Sequence, residues 1–428
     1  MSTRNHKHTR HQLGLSLIEL MIAMVIGLVL LLGLIQVMSA SRAAYQLSSG
    51  VARTQENARF AMDFLQRDLR MAGHMGCVND QAHMAAERPG ASDASRQGLN
   101  LWFLTEDQRK VRDFQAAAFP LRFDLGVQGF EAQTTGPGDT RALVAGTPVA
   151  GNANQWSPAL PDAISRLAPV VGSDIIVVRY LSRDGVPATL ASVTQKSYTI
   201  TPEAYGTQVS TTDSTGLFGM ADCQQATVFA GNGGVNAADG VVSVSEAGLN
   251  KSVLLGDEWS LEGNTQNKPV LYRAEAVVYY VGVGAGATTD GTRPPSLFRA
   301  RAIVDGNDVR FEPEELVEGV DSLQLLYGLD EHMPNELPRG NIERTRIASK
   351  VNTAATNNPN NAQSDEWRRI GTVQIGMLMR SADRSASAQA NTVPQVLGLN
   401  LTRPAVNDNH YRSVYETTVV MRNRLFGN

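Results

Sequence analysis

From Leu15 to Ala72 the chain reads as one continuous helix, and its first half is apolar on every side. The first proline anywhere in the sequence is Pro89. Leu20 to Val37 is apolar apart from Gly27, Gly33 and Gln36. Those eighteen residues, at the α-helical rise, span about 27 Å, close to the ~30 Å of a hydrocarbon core. From Val51 to Ala72 there is neither glycine nor proline, and apolar residues recur at Val51, Ala58, Ala61, Met62, Leu65, Leu69 and Ala72. That spacing puts them on one helical face. Gln55, Glu56, Arg59, Asp63, Arg67 and Arg70 decorate the rest, and Gly73 and Gly76 supply a stop. A helix of this extent is about 87 Å long. The pattern predicts a spine that crosses a membrane with its first half and lies against a folded head with its second.

Ahead of the apolar run stands a short basic leader, with Arg4, Lys7 and Arg10, that ends in Gly14. The only charge between that glycine and Arg42 is Glu19. An ordinary secretory signal is cut after its apolar region and has no use for an acid inside it. Here the convincing cut point lies before the region, between Gly14 and Leu15, so cleavage would keep the apolar helix. An acid in a membrane segment costs a few kcal/mol or more and marks function. The basic leader keeps its end cytoplasmic, which places everything after Arg42 in the periplasm. No second segment is long and apolar enough to span. An uncleaved anchor, or a conventional cut near Val37-Met38-Ser39, are the competing readings.

Gly14-Leu15-Ser16-Leu17-Ile18-Glu19 resembles the class III signal of type IV pilins and pseudopilins. The resemblance implies that a prepilin peptidase cuts after Gly14 and that Leu15 becomes the N-methylated first residue. It also implies that Glu19 neutralises the N-terminus of a neighbouring subunit while a filament assembles. Leu15 stands where major pilins usually carry phenylalanine, and no proline kinks the membrane half. Both departures point away from an abundant fibre subunit.

The remainder, from Cys77 to Asn428, is large enough for a sizeable core or two lobes. It reads as β-rich. Ser173 to Tyr180 and Ala274 to Val281 carry buried-strand patterns, Val373 to Arg380 alternates in part, and Val414 to Met421 is rich in β-branched residues. Leu316 to Tyr327 reads as a turn or short helix entering a strand. The expected fold is α+β and type IV pilin-like: residues 1–14 as leader, 15–41 as membrane and filament-core helix, 42–76 as the amphipathic half of the spine, and 77–428 as an antiparallel β-rich head.

Several pieces resemble the PilW family of minor pilins. They are Gln55-Glu-Asn-Ala-Arg-Phe-Ala-Met62 with Asp68-Leu-Arg-Met-Ala-Gly73, Cys77, Asp222-Cys223, Glu315 to Val320, Leu326-Tyr-Gly328, and Arg422-Asn-Arg424. They follow the family's order along the whole length. The resemblance implies a low-abundance subunit that helps start assembly and sits near the fibre tip. Its implied partners are a prepilin peptidase, other minor pilins and the major pilin, a tip adhesin, and inner-membrane lipid.

Little else in the sequence carries chemistry. Cys77 and Cys223 are the only cysteines, and a periplasmic head would allow them to form one bridge closing a loop of about 146 residues; two unrelated buried thiols are the alternative. His74 near Cys77 lacks a fourth ligand at any zinc-like spacing. The loops at Gly231–Gly234, Gly282–Gly291 and Asn352–Asn361 show no P-loop lysine, dinucleotide fingerprint or EF-hand series. Asp365-Glu366-Trp367 reads as a solvated loop. There is no Gly-x-Ser-x-Gly elbow and no His-Glu-x-x-His, and five of the seven histidines lie in the leader or near the spine's end, so neither an enzyme nor a cofactor is expected. Removing the leader takes the formal charge from −4 to −7, which disfavours a general nucleic-acid surface. Arg299, Arg301, Arg422 and Arg424 are read as solvated or paired. Two readings stay open beside the minor pilin: a pseudopilin of a type II secretion system, and a single-pass periplasmic enzyme or binding module.

Overall fold

The computed structural model describes residues 16–77, 98–194, 197–202, 215–222, 225–231, 241–246, 248–253, 269–288, 291–330, 341–351, 366–384, 395–404, 408–421 and 423. Helix α1 runs Leu17–Met71, 55 residues or about 82 Å. It ends where the sequence places the stop, because Gly73 (φ 70°) and Gly76 (φ 71°) take up left-handed backbone that a side chain would strain. Its first half packs on nothing among the described residues. From Thr54 on, one stripe turns inward, and Ala58, Ala61, Met62, Leu65, Leu69 and Ala72 are buried. Val51, expected on that stripe, is only half-buried, and Thr54 is buried with its hydroxyl donating to the Gly50 carbonyl at 2.7 Å.

The head supplies nineteen strands among the described residues. In chain order they begin with β1 (Gly98–Leu101), β2 (Val127–Ala132), β3 (Thr140–Ala142), β4 (Trp156–Ser157), β5 (Ile175–Leu181), β6 (Val186–Thr194) and β7 (Ser197–Pro202). Next come β8 (Leu217–Ala221), β9 (Gln225–Ala230), β10 (Val242–Ser245), β11 (Val270–Val283), β12 (Pro295–Asp305) and β13 (Asp308–Glu318). The last are β14 (Val320–Leu329), β15 (Arg344–Arg346), β16 (Ile370–Arg380), β17 (Gln395–Val396), β18 (Leu399–Thr402) and β19 (Arg412–Val420). Among the described residues the other α-helices are the short α2 (Glu106–Lys110) and α3 (Asp162–Ser165).

Twelve strands form one sheet with β11 at its centre. Four form a second, ordered β15-β14-β16-β19, and three a small third, β17-β18-β3. Pairing is antiparallel except for β1 with β9 and β18 with β3. The long strands show why the segments fold this way. On β11, Val277, Tyr279 and Val281 face one core while Ala276, Val278 and Tyr280 face another, the period-2 alternation of a sheet buried on both sides. β5 does the same with Ile176 and Val178 against Ile175 and Val177. The first of these cores also takes in the inner stripe of α1 and the apolar face of the four-stranded sheet. Spine, large sheet and four-stranded sheet therefore share one core.

The joint between the two larger sheets is polar. The Asp174 carboxylate accepts from the Ala132 amide on β2 and the Leu325 amide on β14, both at 2.9 Å. The Asp174 amide donates to the Leu323 carbonyl at 2.8 Å, and the Leu323 amide donates to the Ser173 hydroxyl at 3.3 Å. Nearby, Glu131 is buried, with Tyr327 and Asp139 close by. Burial, and then the Asp174 charge, push the Glu131 carboxyl above its ordinary 4.5; burial likewise raises Asp174 from 3.8. A raised carboxyl favours the proton in the folded state, so this stabilisation is complete below the unfolded values near pH 4 and is lost as pH climbs through neutrality. Glu131→Gln is expected to leave stability at pH 4.5 nearly unchanged and to raise it at pH 8, on the scale of about 1.4 kcal/mol for each unit of the shift relieved. Thermal melts at the two pH values check this, and equal changes at both would exclude the pair as the source.

Two local expectations change. Leu316 to Tyr327 holds no helix: β13 runs to Glu318, Gly319 (φ 83°) carries the chain past the Arg380 carbonyl from the large sheet into the four-stranded one, and β14 follows. Trp367 does not sit in a solvated loop. It is fully buried in the short 3-10 turn Glu366–Arg369, edge-on to Tyr327 at 5.0 Å, while Glu366 pairs with Arg346 at 3.1 Å. An isolated tryptophan in a polar stretch leaves no period to read, so its burial has no signature in the sequence. Asp365, the third member of that stretch, lies outside the described residues.

Candidate functional site: the spine helix and its two ends

Gly14 and Leu15 lie outside the described residues; Ser16 and Glu19 are the first side chains whose placement is described. They form a reciprocal cap. The Glu19 amide donates to the Ser16 hydroxyl at 3.3 Å, and the Ser16 amide donates to the Glu19 carboxylate at 3.1 Å. Two of the four amides a helix start leaves unpaired are satisfied in this way. The carboxylate also sits at the positive end of the helix dipole. Glu19 is therefore held one turn from the helix's start, with its carboxylate turned back to the Ser16 amide. The motif Ser-x-x-Glu carries this arrangement in the sequence, where the acid stands out and the serine does not.

Beyond the cap, the helix is bare. An 18-residue window reaches a mean hydropathy of 2.8 with none of its surface covered. Leu17 exposes 78% of its surface and Leu34 67%, values that water tolerates poorly over such a length. A Cβ built on Gly27 or Gly33 would meet nothing within 4 Å, so nothing among the described residues requires either glycine. Small residues in an apolar helix let a second helix approach closely.

At the other end the spine is bolted to the head. Asp68, buried on the helix, accepts the Tyr279 hydroxyl at 2.5 Å. Burial and the Asp68 charge raise both Tyr279 and Tyr180 well above the usual phenol range, which keeps them protonated as donors. The Gly73 amide donates to the Arg179 carbonyl at 2.9 Å, and the Leu181 amide to the His74 carbonyl at 2.8 Å. The Asn57 side chain donates to the Glu318 carbonyl at 3.2 Å. The Asn423 side chain reaches from the far end of the sequence to the Arg70 carbonyl at 3.2 Å and the Ala72 carbonyl at 3.5 Å. The Asn of the Arg422-Asn-Arg424 motif thus clasps the last turn of the spine, while Arg422 and Arg424 lie outside the described residues.

His74 turns its ring nitrogen Nδ1 to the Leu181 carbonyl at 2.9 Å and its edge to Tyr272. Among the described residues no three of His, Cys, Asp and Glu gather as a metal site. Arg299 and Arg301 are paired, with Glu314 at 2.7 Å and Glu275 at 2.8 Å. Cys77 is described and exposed just past the spine, whereas Cys223 lies outside the described residues.

Two family descriptions match the chain. The prokaryotic N-terminal methylation motif covers residues 9–35, which takes in Gly14, Leu15 and Glu19. PilW, Type IV Pilus-assembly protein W, covers residues 278–423. That second stretch runs from the middle of β11 through β19 to Asn423, and so holds the whole four-stranded sheet and the clasp. The resemblance at Glu315–Val320, Leu326–Gly328 and Arg422–Arg424 falls inside it; the pieces at Gln55–Gly73, Cys77 and Asp222–Cys223 fall outside both. No curated protein and no solved structure matches. The bare, capped helix and the sheet that packs on its far half coincide with these two matches, which together support a PilW-like, prepilin-type pilin.

Proposed function

We propose that this chain is a minor pilin of a type IV pilus that helps prime assembly and sits near the fibre tip, in support of twitching motility and adhesion. The observation that carries the reading is a methylation-motif helix, uncovered for its first half, hydrogen-bonded at its far end to a head whose residues 278–423 match PilW. In it, the helix first stands in the inner membrane with the head in the periplasm. A prepilin peptidase cuts between Gly14 and Leu15, and Leu15 is N-methylated. The uncovered surface then exchanges lipid for the helices of other minor pilins and the major pilin, and the head presents its outer surface to a tip adhesin. The role is structural, with no cofactor and no nucleic-acid partner. A minor pseudopilin of a type II secretion system would use the same helix; the PilW-type head favours the pilus.

Glu19 is the subunit-assembly residue in this reading. Its carboxylate, already aligned by Ser16, neutralises the α-amino group of a neighbour's Leu15 in surroundings too apolar for either charge alone. Glu19→Ala is expected to leave cleavage intact and to cut incorporation into sheared pili at least ~10-fold. Immunoblots of the membrane and pilus fractions check it, and unchanged incorporation would remove this role.

The reading includes a Cys77–Cys223 bridge. Its support is the neighbourhood: a Cβ built on Gly76 would lie 2.8 Å from the Ala221 side chain, so the residue before one cysteine abuts the residue two before the other. A bridge there would lock the spine's exit to the β8–β9 hairpin, worth up to about 5 kcal/mol in the chain-entropy picture. Cys77→Ser is expected to make the head cleave faster in limited proteolysis; an identical digestion pattern would argue for separate thiols.

A further inference from the structure

A cleft of about 670 Å³ opens where the last two turns of the spine pass the polar end of the large sheet. On one wall, Asp63, Gln66, Arg67 and Arg70 make a single helical stripe at spacings of three and four. The other wall is the face of β11 and β12 that continues past the helix: Arg273, Glu275, Arg299 and Arg301, with Arg183 and Asp184 at the turn after β5. The alternation that buries Ala274, Ala276, Ala300 and Ala302 in the opposite core turns these charged residues outward.

Six arginines line the cleft against four carboxylates, Asp63, Asp68, Asp184 and Glu275, an excess of two positive charges in a chain that is negative overall. Three of the arginines are matched internally: Arg301 holds Glu275, Arg299 holds Glu314, and Arg67 lies 3.6 Å from Asp68. Arg70 meets only the Gln66 side chain, at 3.4 Å, and no carboxylate partners Arg70 or Arg183 among the described residues. Both stand exposed at the mouth. Arginine rather than lysine at every cationic position suits planar, two-point recognition of carboxylates.

We propose that this cleft takes an acidic segment of a neighbouring pilin subunit, with Arg70 and Arg183 as the docking pair. The inference rests on the pilin reading and adds the chemistry of one partner surface. A protein segment fits better than a phosphate polymer. The four carboxylates in the walls would repel a continuous row of phosphates, whereas carboxylates spaced along a peptide can alternate with them. Met71, Tyr180 and Val277 give apolar floor for the stems of acidic side chains. The cleft also flanks the spine, so subunits that stack along their spines bring a neighbour's chain past its mouth.

The test uses the full chain in its own host. Carbodiimide joins amines to carboxylates without a spacer and leaves arginine untouched, so an Arg70→Lys, Arg183→Lys variant makes the cleft reactive while keeping its charge. Sheared pili and membranes are treated and analysed by mass spectrometry. The expected product is an isopeptide bond from position 70 or 183 to an Asp or Glu of a different subunit, absent from the unsubstituted chain. Bonds only to this chain's own Asp63, Asp184 or Glu275, or none at either position, would overturn the proposal. A second variant, Arg70→Glu with Arg183→Glu, is expected to be cleaved after Gly14 and inserted normally, yet incorporated about tenfold less; undiminished incorporation would also overturn it. An unsubstituted chain that is never cleaved would break the pilin reading itself.

Discussion

Gly14→Ala is expected to leave the chain in the membrane at its full length and to remove it from surface pili altogether. The reasoning is electrostatic as well as enzymatic. An uncleaved chain keeps Arg4, Lys7 and Arg10 on the cytoplasmic side. Drawing three cations into the apolar core of a filament would cost roughly 3 kcal/mol each on the mildest scale for a bilayer centre. The uncut chain also lacks an α-amino group at Leu15, so a neighbour's Glu19 has nothing to neutralise. The cap between Ser16 and Glu19 involves no atom of Gly14, and the helix should form as before. The defect is thus expected in processing and assembly, with unchanged helicity and head stability. Normal amounts of the variant in sheared pili would contradict the processing scheme.

Asp174→Ala is expected to destabilise the head by about 3 kcal/mol. One carboxylate serves two buried amides, from Ala132 on the large sheet and Leu325 on the four-stranded sheet. An orphaned buried amide costs roughly 1–3 kcal/mol. Part of that loss is offset because the carboxylate is itself costly to bury, as its raised pKa records. Ser173→Ala removes one 3.3 Å bond and is expected to cost about 1 kcal/mol or less. Denaturant melts of the two variants compare them directly. A loss below about 0.5 kcal/mol for Asp174→Ala would mean that water replaces both bonds.

The division between what the sequence discloses and what it hides follows the range of the forces. Helix α1 was legible to within a few residues, because membrane hydropathy, the later apolar stripe and the stop at Gly73 are all local. The strands β5, β11, β16 and β19 were legible for the same reason. Their arrangement was not. Gly98–Leu101 pairs with Gln225–Val228, and β3 with β18, across separations that leave no periodic trace. Nor does a sequence reveal that Ser173-Asp174, read as a strand entry, ties one sheet to another. Arg179, inside an apolar strand, is buried because its guanidinium donates to the Leu125 and Phe119 carbonyls and stacks on the Phe119 ring. At the candidate site, Glu19 stood out as a charge in the wrong solvent, whereas Asn423 acquires its role only once the chain's end folds back onto the spine. The arginine cleft is assembled from three distant segments and had no signature at all.

The most direct single measurement is the intact mass and N-terminal sequence of the protein purified from the membranes of its own host. A chain that begins at Leu15, carries one added methyl group on its α-amine and has lost residues 1–14 is the expected result. A chain that still begins at Met1 would contradict the filament reading, and one that begins near Ala40 would discard the spine as part of the mature protein.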